Sequence, residues 1–210
     1  MSKPVTIAAL AGATGLSAIA LSDAVTFALT GQHTGFSDDF GVNPAFVVGG
    51  VIHSLAYLAF AGVLHSRRAE VDGGSRFRRV VRRILTGALL FLAVGMSAHT
   101  ALSITAGEVN DNAVFGAVAG IALLLMILGS VTLGLSLLRR PDMRLPAWTL
   151  TAILPAIGLT IVLGVLGSPW AHPAYAETLV SFGLAFIGLT PRAASERPRA
   201  EGRLLGTAAA

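Results

Sequence analysis

The chain has 210 residues, of which 54% are hydrophobic and only 12% charged, with a mean hydropathy of +0.74. That leaves too little polar surface to cover a water-soluble globule and places the chain in a bilayer. The basic pI, near 10.6, does not point to nucleic acid, because the arginines lack the interleaved aromatics that stack bases. Zero cysteines exclude disulfides, thiolate metal sites and cysteine nucleophiles.

A spanning helix needs roughly 20 predominantly apolar residues, and six apolar stretches are candidates in chain order: 5–30, 45–65, 84–107, 113–138, 147–167 and 175–189, the last being the shortest, with a start nearer His172 as the alternative. The expected fold is an all-α integral membrane protein, a six-transmembrane-helix bundle over residues 1–190, with a disordered tail at 191–210 rich in Ala, Arg, Pro and Glu. Lys3 with the following apolar run resembles a signal peptide in outline, but apolar character continues through 24–29, so a retained first span is expected.

Once the six stretches are read as spans, all 15 lysines and arginines fall on one side. Lys3 precedes the first span, seven arginines from Arg67 to Arg83 lie between the second and third, Arg139, Arg140 and Arg144 lie between the fourth and fifth, and four follow the sixth. Short basic loops stay cytoplasmic, so the expected topology is N-in and C-in across a bacterial cytoplasmic membrane, with these loops against anionic lipid headgroups. The opposite side carries Asp38, Asp39, Glu108 and Asp111 and is acidic.

Within the longest basic loop, Asp72-Gly73-Gly74-Ser75 reads as a turn and the following Phe77, Val80 and Val81 as an amphipathic lead at headgroup level. Trp148, Trp170 and Tyr175 stand where interfacial anchors do. Pro155 should free the carbonyl of Thr151 and kink the fifth span. Small-residue contacts are expected at Gly12, Gly15, Gly49, Gly50, Gly95, Gly158, Gly183 and the Gly116/Gly120 GxxxG pair. Gly15-Leu16-Ser17, Gly95-Met96-Ser97 and Gly158-Leu159-Thr160 recur at similar depth, as three repeated helical hairpins would produce.

Asp23, His53 and His99 come to roughly 10 to 12 Å below the acidic edge at about 1.5 Å per residue. An ionisable group in hydrocarbon needs an interior-facing partner, and no Lys or Arg lies within the spans, so Asp23 is expected to stay protonated or pair with a histidine at its own depth. The three form the candidate ligand-binding or proton-relay layer, with Tyr57, Gly49 and Gly95 behind it. His33 and His172 lie outside with Asp38, Asp39, Glu108 and Asp111 and could together recruit a divalent cation, but nothing in their spacing resembles a metal motif, and a solvated acidic rim is the expectation.

Small-ligand binding or transport is therefore the first expectation, and an accessory or scaffold subunit docking on a membrane protein partner through glycine faces is the alternative. No cofactor is expected in the main reading; a minor one holds haem b between His53 and His99, with Gly49 and Gly95 clearing a flat ligand. Hydrolase, zincin, Walker A and dinucleotide motifs are absent from the sequence, which leans against an enzyme and leaves open an intramembrane hydrolase with Asp23, His53 and His99 around zinc, for which no further ligand or nucleophile is identified.

Overall fold

The computed structural model describes residues 3–109 and 112–190, and the expected tail at 191–210 and Asp111 lie outside the described residues. All regular structure among them is helical: α1 (Lys3–Thr30), α2 (Pro44–Ser66), α3 (Arg68–Asp72), α4 (Arg76–Ala106), α5 (Ala113–Leu137), α6 (Arg144–Thr151), α7 (Ile153–Val165) and α8 (Ala174–Ile187), with short 3-10 turns at Asp38–Phe40 and Pro141–Met143.

Local chemistry explains the boundaries. Asn43 caps α2 by accepting from the amides of Ala45 and Phe46, with Pro44 at the first helical position. Ser75 and Asn112 cap α4 and α5 in the same way, through the amides of Arg78 and Phe115. The 72–75 turn falls where the sequence puts it, between α3 and α4. The amphipathic lead that follows is the first two turns of α4, which at 31 residues extends about 46 Å. Pro155 breaks the fifth stretch as expected: α6 ends at Thr151 and α7 resumes at Ile153.

Five helices are long and apolar enough to cross a membrane, counting Pro141–Val165 as one interrupted crossing. The sixth stretch is the short one and is not among the five: α8 has 14 residues, about 21 Å against roughly 30 Å of hydrocarbon. Its brevity goes with its position inside the bundle, where Ala174, Val180, Leu184, Ala185 and Ile187 are buried. It packs along α1 and against α6 and α7, while α2 lies between α1 and α4, and α5 packs on α4 and α6. At one end of α8 His172 meets Asp23 of α1; at the other Gly188 meets Thr6 of α1 and Arg67. α8 therefore runs antiparallel to α1 along most of its length.

The polarity pattern is that of a protein in lipid. Ile7, Leu29, Val94, Ile121, Ile161 and Val165 are exposed, whereas Ser54, Ser103, Ser130 and Ser181 are buried. Without a hydrophobic drive between helices, small residues set the close approaches. A Cβ on Gly12 would stand 2.8 Å from the Ala56 Cβ, and one on Gly50 or Gly183 would strike Thr100 or Leu150. Gly116, Gly120 and Gly158, by contrast, face open space.

The basic end is cross-linked. Arg82 makes two bonds to the Asp72 carboxylate, at 2.8 and 3.1 Å, with Arg79 at 3.6 Å. Arg140 bridges Asp142 and the carbonyl of Glu70.

Candidate functional site

Asp23, His53 and His99 each meet a different partner, and the structure does not bring them into one contact. Asp23 meets neither of the histidines at its depth. Its partners are His33 and His172, which the sequence leaves in the exterior rim.

The reason is a fold-back after α1. Gly31 adopts φ +73°, a left-handed conformation that ends the helix at little steric cost, and the chain returns over the last two turns of α1. There Asp23 Oδ1 accepts from the amide of Thr34 at 2.7 Å and its hydroxyl at 2.8 Å. Oδ2 lies 2.8 Å from His33 Nδ1 and 3.3 Å from His172 Nε2. The ring of Phe27, one turn beyond Asp23, stacks on His33 with centroids 4.7 Å apart. His172 Nδ1 accepts from the amide of Ala174 at 3.2 Å, so the proton of the neutral ring sits on Nε2 and points at Asp23. Four donors thus converge on one carboxylate, and the ligand-type atoms of Asp23, His33 and His172 lie within 4.8 Å of one another.

His53 sits on α2 opposite Glu177 of α8, with Nε2 3.6 Å from Oε1. Its Nδ1 donates to the carbonyl of Gly49 at 2.8 Å, since a carbonyl can only accept. A neutral His53 therefore presents a bare Nε2 lone pair to a carboxylate. Two acceptors face each other, and the contact is favourable only when the pair holds a proton, as imidazolium and carboxylate or as imidazole and carboxylic acid.

This pair stands at the edge of the largest cavity described, about 610 Å³ between α2, α4, α5, α7 and α8. Its walls are apolar, from Leu92, Met96, Met126, Ile157 and Val180; its polar groups are His53, Glu177, Tyr57 and Thr160. The Thr160 hydroxyl is bonded within the protein to the carbonyls of Ala156 and His172. Tyr57, one turn after His53, sets its ring at 62° to the imidazole, and its hydroxyl has no hydrogen-bond partner among the described residues. Leu123 and Ile161, which also line the cavity, are exposed, so it opens sideways between α5 and α7.

His99 of α4 lies elsewhere. Nε2 is 3.9 Å from Asp38, and the ring is stacked on Phe115, with centroids 5.8 Å apart and planes 4° from parallel, while Phe46 meets its edge. A smaller cleft of about 390 Å³ beside it shares Met96 with the main cavity. The two glycines expected behind these histidines, Gly49 and Gly95, face protein rings, since a Cβ on Gly49 would stand 3.3 Å from Phe36 and one on Gly95 3.4 Å from Phe115.

Glu177 is the site residue that sequence reasoning left out. Its one signal was that it falls inside the last apolar helix rather than in a loop, three residues from the start, whereas His53 stands nine residues into α2, so depth alone does not pair them. Neither a protein-family model, nor a curated protein, nor a solved structure matches the chain.

Proposed function

We propose that this is an integral membrane protein that binds a small amphipathic molecule in the cavity between α2, α4, α5, α7 and α8. The observation that carries the reading is an apolar cavity of about 610 Å³ whose few polar groups gather around the His53–Glu177 pair. Ligand sites have this composition and size, with a few directional groups in a mainly apolar wall. The pair offers a donor and an acceptor together through its one mobile proton, and Tyr57 adds a hydroxyl whose donor is free. A head group that both gives and takes hydrogen bonds, such as a carboxamide, enol or carboxylic acid, matches that set, and one alkyl or isoprenoid chain matches the walls. The sideways mouth supplies entry from lipid.

The topology we assign is six crossings, N-in and C-in, in a bacterial-type cytoplasmic membrane, with α8 as a short sixth crossing. Support comes from Arg67, Arg78, Arg82 and Arg140 gathering at the Lys3 end, where translocation is least favourable, and from α8 meeting α1 near both of its ends. The cavity then lies in the half of the bundle away from the cytoplasm, and transport of the bound molecule follows if the cavity also opens inward.

The test is extraction of small molecules from protein purified in mild detergent, followed by mass spectrometry. A compound enriched with the wild type and lost from both Ala119→Phe, which fills the cavity, and Glu177→Gln, which removes the charge, supports the reading. Identical extracts from all three remove it.

A second reading, docking of a membrane partner, is favoured by Gly116 and Gly120 standing open on the exposed side of α5. It predicts co-purification of a partner that is lost in Gly116→Leu.

A further inference from the structure

The geometry points to a divalent transition-metal site formed by Asp23, His33 and His172 at the end of the bundle opposite Lys3. It is separate from the His53–Glu177 cavity and does not depend on the function proposed for it.

Two imidazoles and one carboxylate suit zinc and its first-row neighbours, whereas magnesium and calcium prefer all-oxygen sets. The three ligands come from three separate segments, α1, the 31–43 connection and the 166–173 connection, and two of them are oriented by a neighbour that stays in place on loading. Thr34 holds Asp23 Oδ1 with two hydrogen bonds, which leaves Oδ2 as the ligand atom. Phe27 fixes the plane of His33. Outer groups of this kind are what orients ligands in metal sites. Three protein ligands leave a fourth position for water, the arrangement of an open rather than a closed site.

The metal-free spacing is compatible with loading. Ligand atoms about 2.0 to 2.1 Å from a tetrahedral ion stand roughly 3.4 Å apart. His172 Nε2 is already 3.3 Å from Asp23 Oδ2, and His33 Nδ1, at 2.8 Å, must withdraw by about half an ångström. His33 lies in a connection between helices and its side chain is 35% exposed, so that movement is available to it. Proton balance is simple. Each neutral ring moves its proton to the far nitrogen, Nε2 in His33 and Nδ1 in His172, and the amide of Ala174 gives up its bond to His172. The ion then takes the place of those two protons between the carboxylate and the rings, clasping both connections to α1.

The test uses tag-free protein, stripped with chelator and reconstituted in lipid nanodiscs, titrated with Co²⁺ and with Zn²⁺. The expected result is one equivalent bound per chain, visible Co²⁺ absorption of low-coordinate type, displacement by Zn²⁺ but not Mg²⁺, and a higher unfolding temperature with metal. Thr34→Val should weaken binding about 10- to 100-fold, His33→Gln and His172→Gln by more, and the exposed Glu108→Gln not at all. Absence of saturable binding in the wild type overturns the assignment, as does wild-type affinity in His33→Gln or His172→Gln. Should His172→Gln fail to fold without metal, His33→Gln in its exposed connection decides the question alone.

Discussion

The guanidinium of Arg67 donates through Nη2 to the main-chain carbonyl of Gly188, at 2.6 Å and across 121 positions of sequence. The Thr6 hydroxyl donates to the same carbonyl at 3.3 Å. Orphan carbonyls at a helix end need partners, and a cation there also answers the negative end of the helix dipole. One bond thus fixes the end of α8 to the α2–α3 junction. Arg67→Met keeps the stem and removes the charge, and is expected to lower stability by about 1 to 3 kcal/mol. Thr6→Val should cost less, and the double variant should differ from the sum of the two, because both donors share an acceptor. Denaturant titration in mixed micelles reads all three values.

Asp72 and Arg82 are both buried and held by two bonds. Removing one partner of such a pair strands the other charge away from water. Asp72→Asn is expected to lower stability by about 3 kcal/mol, while the Asp72→Asn, Arg82→Met double variant recovers most of the loss. A double variant no better than the single would show that Asp72 acts mainly on Arg79 and the turn.

Glycines that look alike in sequence should behave in opposite ways. Gly12→Ala drives a methyl into the Ala56 backbone and is expected to cost about 1 to 3 kcal/mol. Gly116→Ala and Gly120→Ala meet open space and should leave the monomer unchanged or raise its stability by up to about 1 kcal/mol. Thermal unfolding of the three variants in one detergent makes the comparison.

Much of the architecture was legible because it rests on signals local to the chain. Apolar length marked the long helices, Pro155 marked the break before α7, and Asp72 to Ser75 marked a turn with its cap. Depth along a helix was also legible and marks Asp23, His53 and His99 as one level, while Glu177, three residues into α8 against nine for His53 in α2, reads as shallower. Rotation about the bundle axis was not. Asp23, His53 and His99 share a level but point into different gaps, because α1 is packed along α8 and α2 while His99 faces the α4–α5 seam. Nor could periodicity show that His33 folds back onto Asp23, since a loop's path is set by the packing it meets.

The assigned topology makes a labelling prediction that the cysteine-free chain suits well. Ser37→Cys and Ser168→Cys should react with a membrane-impermeant maleimide from one side of the membrane, and Ser75→Cys only from the other. A tag placed after residue 210 should share the side of position 75. A tag on the side of position 37 would mean that α8 does not cross.

The most direct test of the central claim is photolabelling with a single-chain amphipathic carboxamide bearing a diazirine in its tail, followed by peptide mapping. The account predicts label concentrated on the cavity walls at Met96, Met126, Ile157 and Val180, abolished in Ala119→Phe and reduced in Glu177→Gln with helicity unchanged. Label spread over lipid-facing positions such as Val94, Val114 and Ile121, and indifferent to Ala119→Phe, would contradict it.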